Sequence, residues 1–373
     1  MKTYCSAPFR QIYADNASRY RLCCHASKNN DLAKYNTNNT APFKYFLSEE
    51  MEDVRNKLLS GERVQGCEPC YKLEDRGFKS WRQWKYNKIY PMTANVEKVS
   101  LKLRILGSYC NLGCYMCHPY NSSTRRVELA KSDIKLTDFT KVQEKQVNIS
   151  TKRYDETVQD ILDNIELVDH MHITGGEPLL LPRMYQMMER IPDEHAKNIQ
   201  LSFDTNLTEL EFKEWNIWQL VDRFKKIALG VSCDHFGDKL SWIRYPIDIH
   251  QFEKNLQTAK SIVANVNVTV SLLNINELDE IRDYYKDFNV TFTGIVDNPK
   301  ILSIRNLPQK LKNEYKEKYK NYEMLIQELD KAVIPGELER GFEYCKKLNT
   351  QRNINFDHVF KDLLDKIQNT FTL

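Results

Sequence analysis

The pattern of apolar and polar positions changes at about residue 98 of the chain. Beyond it, short apolar runs alternate with amphipathic segments, the patterns of strands and helices. The predicted strands span residues 100–106, 170–174, 199–203, 226–232, 265–271 and 290–295. The predicted helices span residues 157–167, 182–190, 208–222, 249–261 and 277–288, and another begins at residue 122. Strands alternating with helices favour an α/β fold with a parallel sheet.

The two flanking segments have other patterns. Residues 1–95 are rich in cysteine, aromatic and polar residues, with one amphipathic helix predicted over 46–59. A segment with so few apolar runs is expected to depend on a bound metal cluster more than on packing. After residue 298 the chain is charged and helical, over 307–331, 335–346 and 356–369. We therefore predict domains at 1–95, 96–300 and 301–373, the last a helical C-terminal extension.

Composition narrows the classes of function. The chain has 373 residues, of which 41% are hydrophobic and 28% charged, as in soluble globular proteins. No long apolar run predicts a membrane span, and no apolar signal region opens the chain, so a cytoplasmic location is expected. A net charge of +3 gives no reason to expect nucleic acid. Ten cysteines in such a chain indicate metal or redox chemistry rather than disulfides.

Three cysteines, Cys110, Cys114 and Cys117, follow the first strand with the spacing C-x3-C-x2-C. Three thiolates can hold three irons of a four-iron four-sulfur (4Fe–4S) cluster, whose usual electron-transfer form has four cysteine ligands. One iron is then open to another molecule. A structural zinc site is the alternative, with His118 as fourth ligand, but neighbouring residues seldom reach one small ion together.

A second motif, Gly175-Gly176-Glu177-Pro178, follows the second predicted strand. Together with the three-cysteine loop it closely resembles the radical S-adenosylmethionine (SAM) superfamily. The resemblance implies a partial (β/α)6 barrel with its chemistry at the carboxyl ends of the strands. It also implies a cluster that cleaves SAM reductively to a 5′-deoxyadenosyl radical, which abstracts hydrogen from a substrate. Reduced flavodoxin or ferredoxin is the implied electron donor.

The resemblance also suggests residues that contact SAM. Gly175 and Gly176 let the backbone approach its methionine end, because no Cβ is in the way. By resemblance Glu177 binds the amino group, and Pro178 fixes the turn into the next helix. Met116 stands where the family usually carries an aromatic residue, and its sulfur can pack there. Further candidate SAM contacts at or beyond strand ends are Thr205, Asn206, Ser232, Asp234, Asn274 and Val296.

Arg244 lies in Trp242-Ile243-Arg244-Tyr245, a stretch similar to one in peptide-modifying relatives. In those relatives the arginine pairs with the SAM carboxylate, a contact that suits its planar guanidinium. A surface ion pair is the alternative for Arg244. The long polar segment 131–154 also has two interpretations, a solvated loop or a lid that contacts substrate.

A second cysteine group lies near the start of the chain, at Cys5, Cys23, Cys67 and Cys70. It resembles the Twitch domain, a shortened SPASM domain that carries an auxiliary 4Fe–4S cluster, although the usual glycine is replaced around Ser18. A Twitch domain placed before the barrel is similar to members often encoded in phage genomes. Cys24 competes with Cys23 as a ligand. A four-cysteine zinc site is the alternative, because spacing alone does not separate zinc from iron–sulfur.

Two clusters and SAM are thus the expected cofactors. The leading hypothesis is a radical SAM enzyme that modifies a peptide or protein side chain. The second is the same chemistry on a nucleotide, sugar or other small molecule. A non-catalytic metal-binding interaction protein is the hypothesis of a different class, against which the intact three-cysteine loop and Gly-Gly-Glu-Pro argue.

Overall fold

The computed structural model describes residues 3–15, 19–26, 40–132, 134, 150–355 and 360–371. Most of the predicted 131–154 loop therefore lies outside the described residues. The strands are β1 (Gln11–Ala14), β2 (Tyr20–Arg21), β3 (Val99–Leu103), β4 (Val168–Ile173), β5 (Gln200–Thr205), β6 (Glu211–Phe212), β7 (Trp215–Asn216), β8 (Lys226–Ser232), β9 (Val263–Val270) and β10 (Val290–Ile295).

Helices separate most of these strands and form the end of the chain. The helices up to β5 are α1 (Ala7–Arg10), α2 (Pro42–Phe46), α3 (Glu49–Ser60), α4 (Glu68–Glu74), α5 (Asn87–Ile89), α6 (Ser123–Ala130), α7 (Thr151–Asp163), α8 (Pro182–Glu189) and α9 (Asp193–Ala196). Those after β5 are α10 (Ile217–Val221), α11 (Gly237–Ile243), α12 (Ile249–Thr258), α13 (Leu278–Tyr284), α14 (Gln309–Lys318), α15 (Glu323–Leu329), α16 (Glu337–Arg352) and α17 (Lys361–Phe371). No described helix is long and apolar enough to cross a bilayer.

The chain divides into two compact units. The first unit comprises Met1–Ser108, Gln146–Phe203 and Glu211–Ala228, and the second comprises Tyr109–Lys145, Asp204–Leu210 and Leu229–Leu373. In the first unit the strand order is β2-β1-β3-β4-β5, with every pair parallel except β1 and β2. In the second unit β8, β9 and β10 lie side by side and parallel. The division into domains at 1–95, 96–300 and 301–373 stays a prediction.

The predicted α/β class with a mostly parallel sheet is confirmed. The six predicted strands correspond to β3, β4, β5, β8, β9 and β10. Alternate residues of β3 and β4 are apolar and point to one face, where Leu101, Leu103, Met171 and Ile173 are fully buried. Because the paired strands are parallel, the loops that follow them lie at one edge of the strands in each unit.

The start of the chain is better packed than its composition suggested. Ala7, Phe9, Ile12 and Ala14 are fully buried, and the strand that contains the last two pairs with β3. The sequence analysis did not predict this strand, because four residues are too few for a clear period. Packing therefore contributes to this segment together with whatever its cysteines bind.

The prediction of a helix over residues 208–222 is wrong for most of that range. Residues 211–216 form the β6–β7 hairpin, and the helix is only α10, from Ile217 to Val221. Lys213 takes the left-handed conformation, with φ of 58°, which a helix cannot contain. Asn216 then begins α10 with a capping box completed by Gln219.

The C-terminal extension is helical, as predicted, although its first helix is divided. The predicted helix 307–331 is present as α14 and α15, separated at 319–322. Tyr315 and Tyr319 are 1% and 2% exposed, and the Tyr319 hydroxyl donates to the Ile275 carbonyl at 3.1 Å. These tyrosines are core residues and do not offer a surface for base stacking.

Candidate active site

The three-cysteine loop lies in the second unit. Cys110 and Cys114 are buried and Cys117 is half-buried. The Gly113 amide donates to the Tyr245 carbonyl at 2.6 Å, which holds the middle of the loop against residues that follow α11. A backbone this closely bonded keeps the thiols that flank Gly113 at defined positions.

Helix α16 supports the same loop through side chains. The Tyr115 hydroxyl donates to Asn349 Oδ1 at 2.6 Å, and Trp242 Nε1 donates to the same oxygen at 2.8 Å. The rings of Tyr115 and Trp242 stack with centroids 3.7 Å apart. The Tyr344 hydroxyl donates to the Tyr115 carbonyl at 2.7 Å. Tyr115, between two of the cysteines, is thus held at its carbonyl, its ring and its hydroxyl.

Arg352, the last residue of α16, completes this support. Its guanidinium donates to the Gly113 carbonyl and forms an ion pair with Glu128 of α6, Nε to Oε1 at 2.6 Å. Its side chain is only 2% exposed. A Cβ on Gly113 would lie 2.9 Å from Arg352 Nη2, so glycine at this position leaves room for the guanidinium.

Arg244, Asp234 and Asn274, three predicted site residues, form one buried network in the second unit. Arg244 Nη2 lies 2.7 Å from Asp234 Oδ2, and Arg244 Nη1 lies 3.9 Å from Cys114 Sγ. Asp234 Oδ1 accepts from the Thr269 amide at 2.8 Å, and Asn274 Nδ2 donates to the Asp234 carbonyl at 3.0 Å. Arg244 is therefore buried beside a cysteine and is not part of a surface ion pair.

The electrostatics of this network centre on the guanidinium. Burial disfavours the charged form of Arg244, but Asp234 and the thiols of Cys114, Cys233 and Cys117 outweigh burial and raise its pKa. Burial raises the pKa of the Cys114 thiol, and Arg244 acts against that effect. A fixed positive charge therefore lies next to the sulfur that a cluster would use.

Asn206 lies on the other side of the cysteine loop. Its Nδ2 is 3.9 Å from Cys110 Sγ and donates to Asn111 Oδ1 at 2.9 Å. Asn111 Nδ2 in turn donates to Thr208 Oγ1 at 2.9 Å. Leu207 adopts a left-handed φ of 56°, which turns the chain between Asn206 and Thr208 so that both reach Asn111. Asn206 was predicted as a SAM contact, and in this structure it orders the cysteine loop.

Four other predicted SAM contacts also lie in the second unit. Thr205 is buried, and its Oγ1 accepts from the Leu207 amide at 3.0 Å. Ser232 is half-buried at the end of β8, Val296 is buried just after β10, and Met116 is half-buried in the loop. Their contact with SAM stays a prediction.

The Gly-Gly-Glu-Pro motif lies in the first unit, after β4. Gly175 and Gly176 have φ of 102° and 54°, values at which a side chain is strained. Glu177 is 2% exposed, and its Oε1 accepts from the Leu179 amide at 3.1 Å. Pro178 begins the short 3-10 helix Pro178–Leu180. The proposed contact of Glu177 with an amino group is left as a prediction.

The N-terminal cysteines also lie in the first unit and influence one another. After burial, the largest effect that raises the pKa of Cys5 comes from Cys23. Likewise Cys5 and Cys70 add to burial in raising the pKa of Cys67, and Cys24, then Cys67 and Cys70, do so for Cys23. The thiols of this group therefore influence one another electrostatically.

A buried arginine connects the segments that carry these cysteines. Arg82 pairs with Glu74 of α4, the helix that follows Cys67, and donates to the Tyr4 carbonyl at 2.7 Å. Arg82 is 4% exposed. It lies in a π-helix, Arg82–Tyr86, a rare element that is frequent at functional sites. Arg82 therefore joins the backbone beside Cys5 to the Cys67–Cys70 segment.

Cys24 differs from its neighbour. Its Sγ lies 3.4 Å from the Tyr86 hydroxyl and 3.9 Å from Lys102 Nζ. Burial alone would raise the pKa of Cys24, but a hydrogen bond from His25, with Lys102 and Tyr86, lowers it to about 6. These contacts occupy the Cys24 thiol, whereas Cys23 is influenced by Cys67 and Cys70. The environment of the two thiols therefore favours Cys23 as the ligand.

Neither cysteine group is closed around a single ion. In the part of the chain that the structure describes, no three His, Cys, Asp or Glu side chains are arranged to hold a metal ion. The donor chemistry nevertheless fits a cluster in the second unit, where two buried thiols and one half-buried thiol share a loop and Arg244 offsets their charge.

The family comparison decides the class of this site. Residues 105–288, which include the three-cysteine loop and the Gly-Gly-Glu-Pro turn, match the family model described as the Radical SAM superfamily. These residues, about half of the chain, are therefore similar to a radical SAM domain. The family implies an enzyme that uses a 4Fe–4S cluster and SAM as its cofactors. A comparison with curated proteins found no match.

Among solved structures, the chain is similar to Streptococcus suis SuiB bound to S-adenosylmethionine, at 14% identity and a TM-score of 0.35. The alignment covers 81% of this chain and 53% of SuiB, so the chain spans about half the length of that protein. It is also similar to TYW1 with a lysine-pyruvate adduct bound, at 13% identity, a TM-score of 0.37, and coverage of 74% and 90%. TM-scores below 0.5 are too low to support an inference about function.

Several residues that shape the radical SAM site were missed from the sequence. They are Asn111, Arg125, Glu128, Tyr344, Asn349 and Arg352 around the three-cysteine loop, and Arg82 and Asn87 near the N-terminal cysteines. Their residue types are common on any helix surface, and only contacts across long sequence separations distinguish them.

Proposed function

We propose that this radical SAM enzyme abstracts hydrogen from a peptide or protein side chain. The observation that carries the radical part is the three-cysteine loop, which lies in the matched domain and is held beside Arg244. When bound there, the cluster supplies the electron that cleaves SAM into methionine and a 5′-deoxyadenosyl radical. Cys110, Cys114 and Cys117 would hold the cluster, with reduced flavodoxin or ferredoxin as the electron donor.

The surrounding residues would control this cluster rather than react. Arg244 places a positive charge 3.9 Å from Cys114 Sγ, which favours the reduced cluster by stabilising its extra negative charge. Burial of Cys110 and Cys114 would keep water from the sulfurs. In the first unit, the left-handed backbone of Gly175 and Gly176 leaves a strand end without Cβ atoms, which suits close approach of the methionine end of SAM.

The N-terminal cysteines would hold the second cluster. Cys5, Cys23, Cys67 and Cys70 are the ligands that we propose, because other thiols of this group add to burial in raising the pKa values of Cys5, Cys23 and Cys67, and Arg82 joins the segments that carry them. Neighbouring thiolates repel one another, and a bound metal cluster would remove this repulsion by neutralising their negative charge. In this hypothesis the auxiliary cluster accepts an electron from the substrate radical or helps to bind the substrate.

The test of radical generation is anaerobic reconstitution followed by reduction with dithionite in the presence of SAM. The wild-type protein should contain about eight irons and form 5′-deoxyadenosine. Replacement of Cys110, Cys114 and Cys117 by Ala should leave about four irons and no 5′-deoxyadenosine. Cys345→Ala, which removes a buried thiol of α16, is the matched control and should keep both. Tightly bound zinc with only four irons would defeat the N-terminal assignment.

The substrate class is tested with extract from the source cells, divided by size. Stimulation of 5′-deoxyadenosine formation by the large fraction, and its loss after protease treatment, is the result expected for a peptide or protein substrate. Stimulation by a small, protease-resistant fraction would instead support the second candidate, a nucleotide, sugar or other small molecule. That candidate is favoured by the polar sheet face described next.

A further inference from the structure

One face of the sheet in the first unit is polar where the other is apolar. The register aligns Ser100 of β3 with His170 of β4, and Lys102 with His172, while His172 aligns with Ser202 of β5. Residues two apart on a strand point to the same face. These five side chains therefore form a compact polar patch, which we call the polar face. The intervening residues are fully buried on the opposite face: Leu101, Leu103, Met171, Ile173, Leu201 and Phe203.

Hydrogen bonds fix the polar face. Ser100 Oγ lies 2.9 Å from His170 Nδ1, and His170 Nε2 lies 2.8 Å from Ser202 Oγ. His172 Nδ1 lies 2.8 Å from the same Ser202 oxygen. Burial, together with His172 and Lys102, lowers the pKa of His170 to about 4, so His170 is neutral near pH 7. This chain of hydrogen bonds holds the imidazole rings of His170 and His172 in fixed orientations. His170 adds no positive charge to the face near pH 7, because its pKa is lowered.

Two cations, Lys102 in β3 and Arg104 just after it, have no carboxylate partner among the described residues. Within the described residues, the one side-chain contact of the Lys102 ammonium is Cys24 Sγ, at 3.9 Å. Arg104 follows Lys102 by two positions, and its amide extends the parallel pairing by donating to the Ala14 carbonyl at 3.0 Å. Arg104 Nε is buried without a hydrogen-bond partner in the described part of the chain. Both residues are only half-exposed.

Partly buried cations without carboxylates are unfavourable unless an anion joins them. In other buried parts of this protein each arginine close to a cluster cysteine has its acid: Arg244 pairs with Asp234, and Arg82 pairs with Glu74. Arg104 breaks that rule on a face already lined with hydroxyl and imidazole groups, while Lys102 has the Cys24 thiol, and no carboxylate, as its counter-charge in the described part of the chain. Cations next to hydrogen-bonding groups are typical of a site that binds an anion, and the hydrogen-bonding groups can contact other polar atoms of the same ligand.

We propose that the polar face, with Arg104, binds an anionic group of the substrate, a carboxylate or a phosphate. Lys102 and Arg104 carry the charge contacts, and His172 and Ser202 orient the neighbouring polar atoms. The inference rests on the proposed radical function, in which a fixed anion would orient the substrate. It deepens that function by assigning the substrate a negative charge.

The test uses inorganic phosphate and acetate as probes on the reconstituted wild-type protein. Isothermal titration calorimetry at constant ionic strength should detect binding of at least one probe, and the stronger one identifies the type of anion. Lys102→Met and Arg104→Met should each weaken binding about tenfold, and the double variant should abolish it. Lys98→Met, which removes an exposed ammonium just before β3, is the matched control and should bind like the wild type.

Arg104→Lys keeps the charge and should retain most of the binding, which guards against variants that simply fail to fold. The proposal is overturned if the wild type binds neither probe, or if the double variant binds as well as the wild type. It is also overturned if Lys102→Met changes only the auxiliary cluster potential, since Lys102 would then be the counter-ion of that cluster. A wild type that cleaves SAM but binds no anion defeats this inference alone, whereas anion binding without SAM cleavage defeats the proposed function.

Discussion

The two cysteine groups are held in different ways. The three-cysteine loop is bonded to residues far along the chain, such as Asn349, which is 234 positions from its partner Tyr115. The N-terminal group depends on contacts such as Arg82 to Tyr4, 78 positions apart, and on thiols that raise one another's pKa values. In the loop a guanidinium lies beside Cys114. The comparison indicates that long-range contacts shape the loop, whereas we expect the N-terminal group to depend more on the cluster that we propose there.

The most direct test of this difference between the two cysteine groups is to remove the proposed N-terminal cluster. Cys67→Ala with Cys70→Ala should reduce the iron content from about eight to about four and still allow 5′-deoxyadenosine to form with dithionite. Radical formation requires only the loop, SAM and an electron. Turnover of the true substrate should be lost. Iron analysis, circular dichroism and quantification of 5′-deoxyadenosine check this prediction.

If a folded double variant keeps about four irons but forms no 5′-deoxyadenosine, the two clusters are coupled and the division of labour is wrong. Loss of all iron together with the circular dichroism signal would instead show that the N-terminal group supports the whole fold.

Substitutions of Cys23 and Cys24 test which of these two thiols is a ligand in the N-terminal group. Cys23→Ser should lose the auxiliary cluster, about four irons, because the Cys23 thiol is influenced by Cys67 and Cys70. Cys24→Ser should keep both clusters, since its thiol contacts Tyr86 and Lys102. Iron content and electron paramagnetic resonance measure the difference. The assignment reverses if only the Cys24 variant loses the second cluster.

Arg352→Ala tests whether the protein shapes the loop. Loss of a buried guanidinium leaves Glu128 with part of its charge unbalanced, and should lower the free energy of unfolding by about 3–5 kcal/mol. Arg340→Ala on the same helix breaks an ion pair whose arginine is 45% exposed, and should cost less than about 1 kcal/mol. Anaerobic urea denaturation compares the two. Equal effects would mean that Arg352 does not support the loop.

Arg244 tests the role of charge beside the loop. Arg244→Gln combined with Asp234→Asn removes the ion pair without leaving a buried carboxylate unpaired. The midpoint potential of the loop cluster should become more negative, by roughly tens of millivolts, because the reduced cluster loses a nearby positive charge. Arg244→Lys should shift it less. A potential unchanged in the double variant contradicts the assignment of Arg244 as a tuning residue.

The sequence predicted the strand–helix alternation well, because each buried strand repeats apolar residues with a clear period. It did not predict β1 or the β6–β7 hairpin, whose strands have four residues or fewer. The hairpin depends on the left-handed conformation of Lys213, which is uncommon for lysine and leaves no signal in composition. Strands of four residues or fewer are therefore where sequence periodicity failed, because they are too short to show a period.

The sequence by itself determined the chemistry of this protein. Its two motifs are local: the spacing of Cys110, Cys114 and Cys117, and the two glycines of the Gly-Gly-Glu-Pro turn. Each consists of residues that are close in the chain, so it can be identified from the sequence alone. The partners of these residues were decided only by the tertiary structure. Arg352 reaches Gly113 from 239 positions away, and the alignment of β3, β4 and β5 places His170 and His172 on one face with Lys102. Such contacts depend on how distant segments pack, which no local pattern encodes.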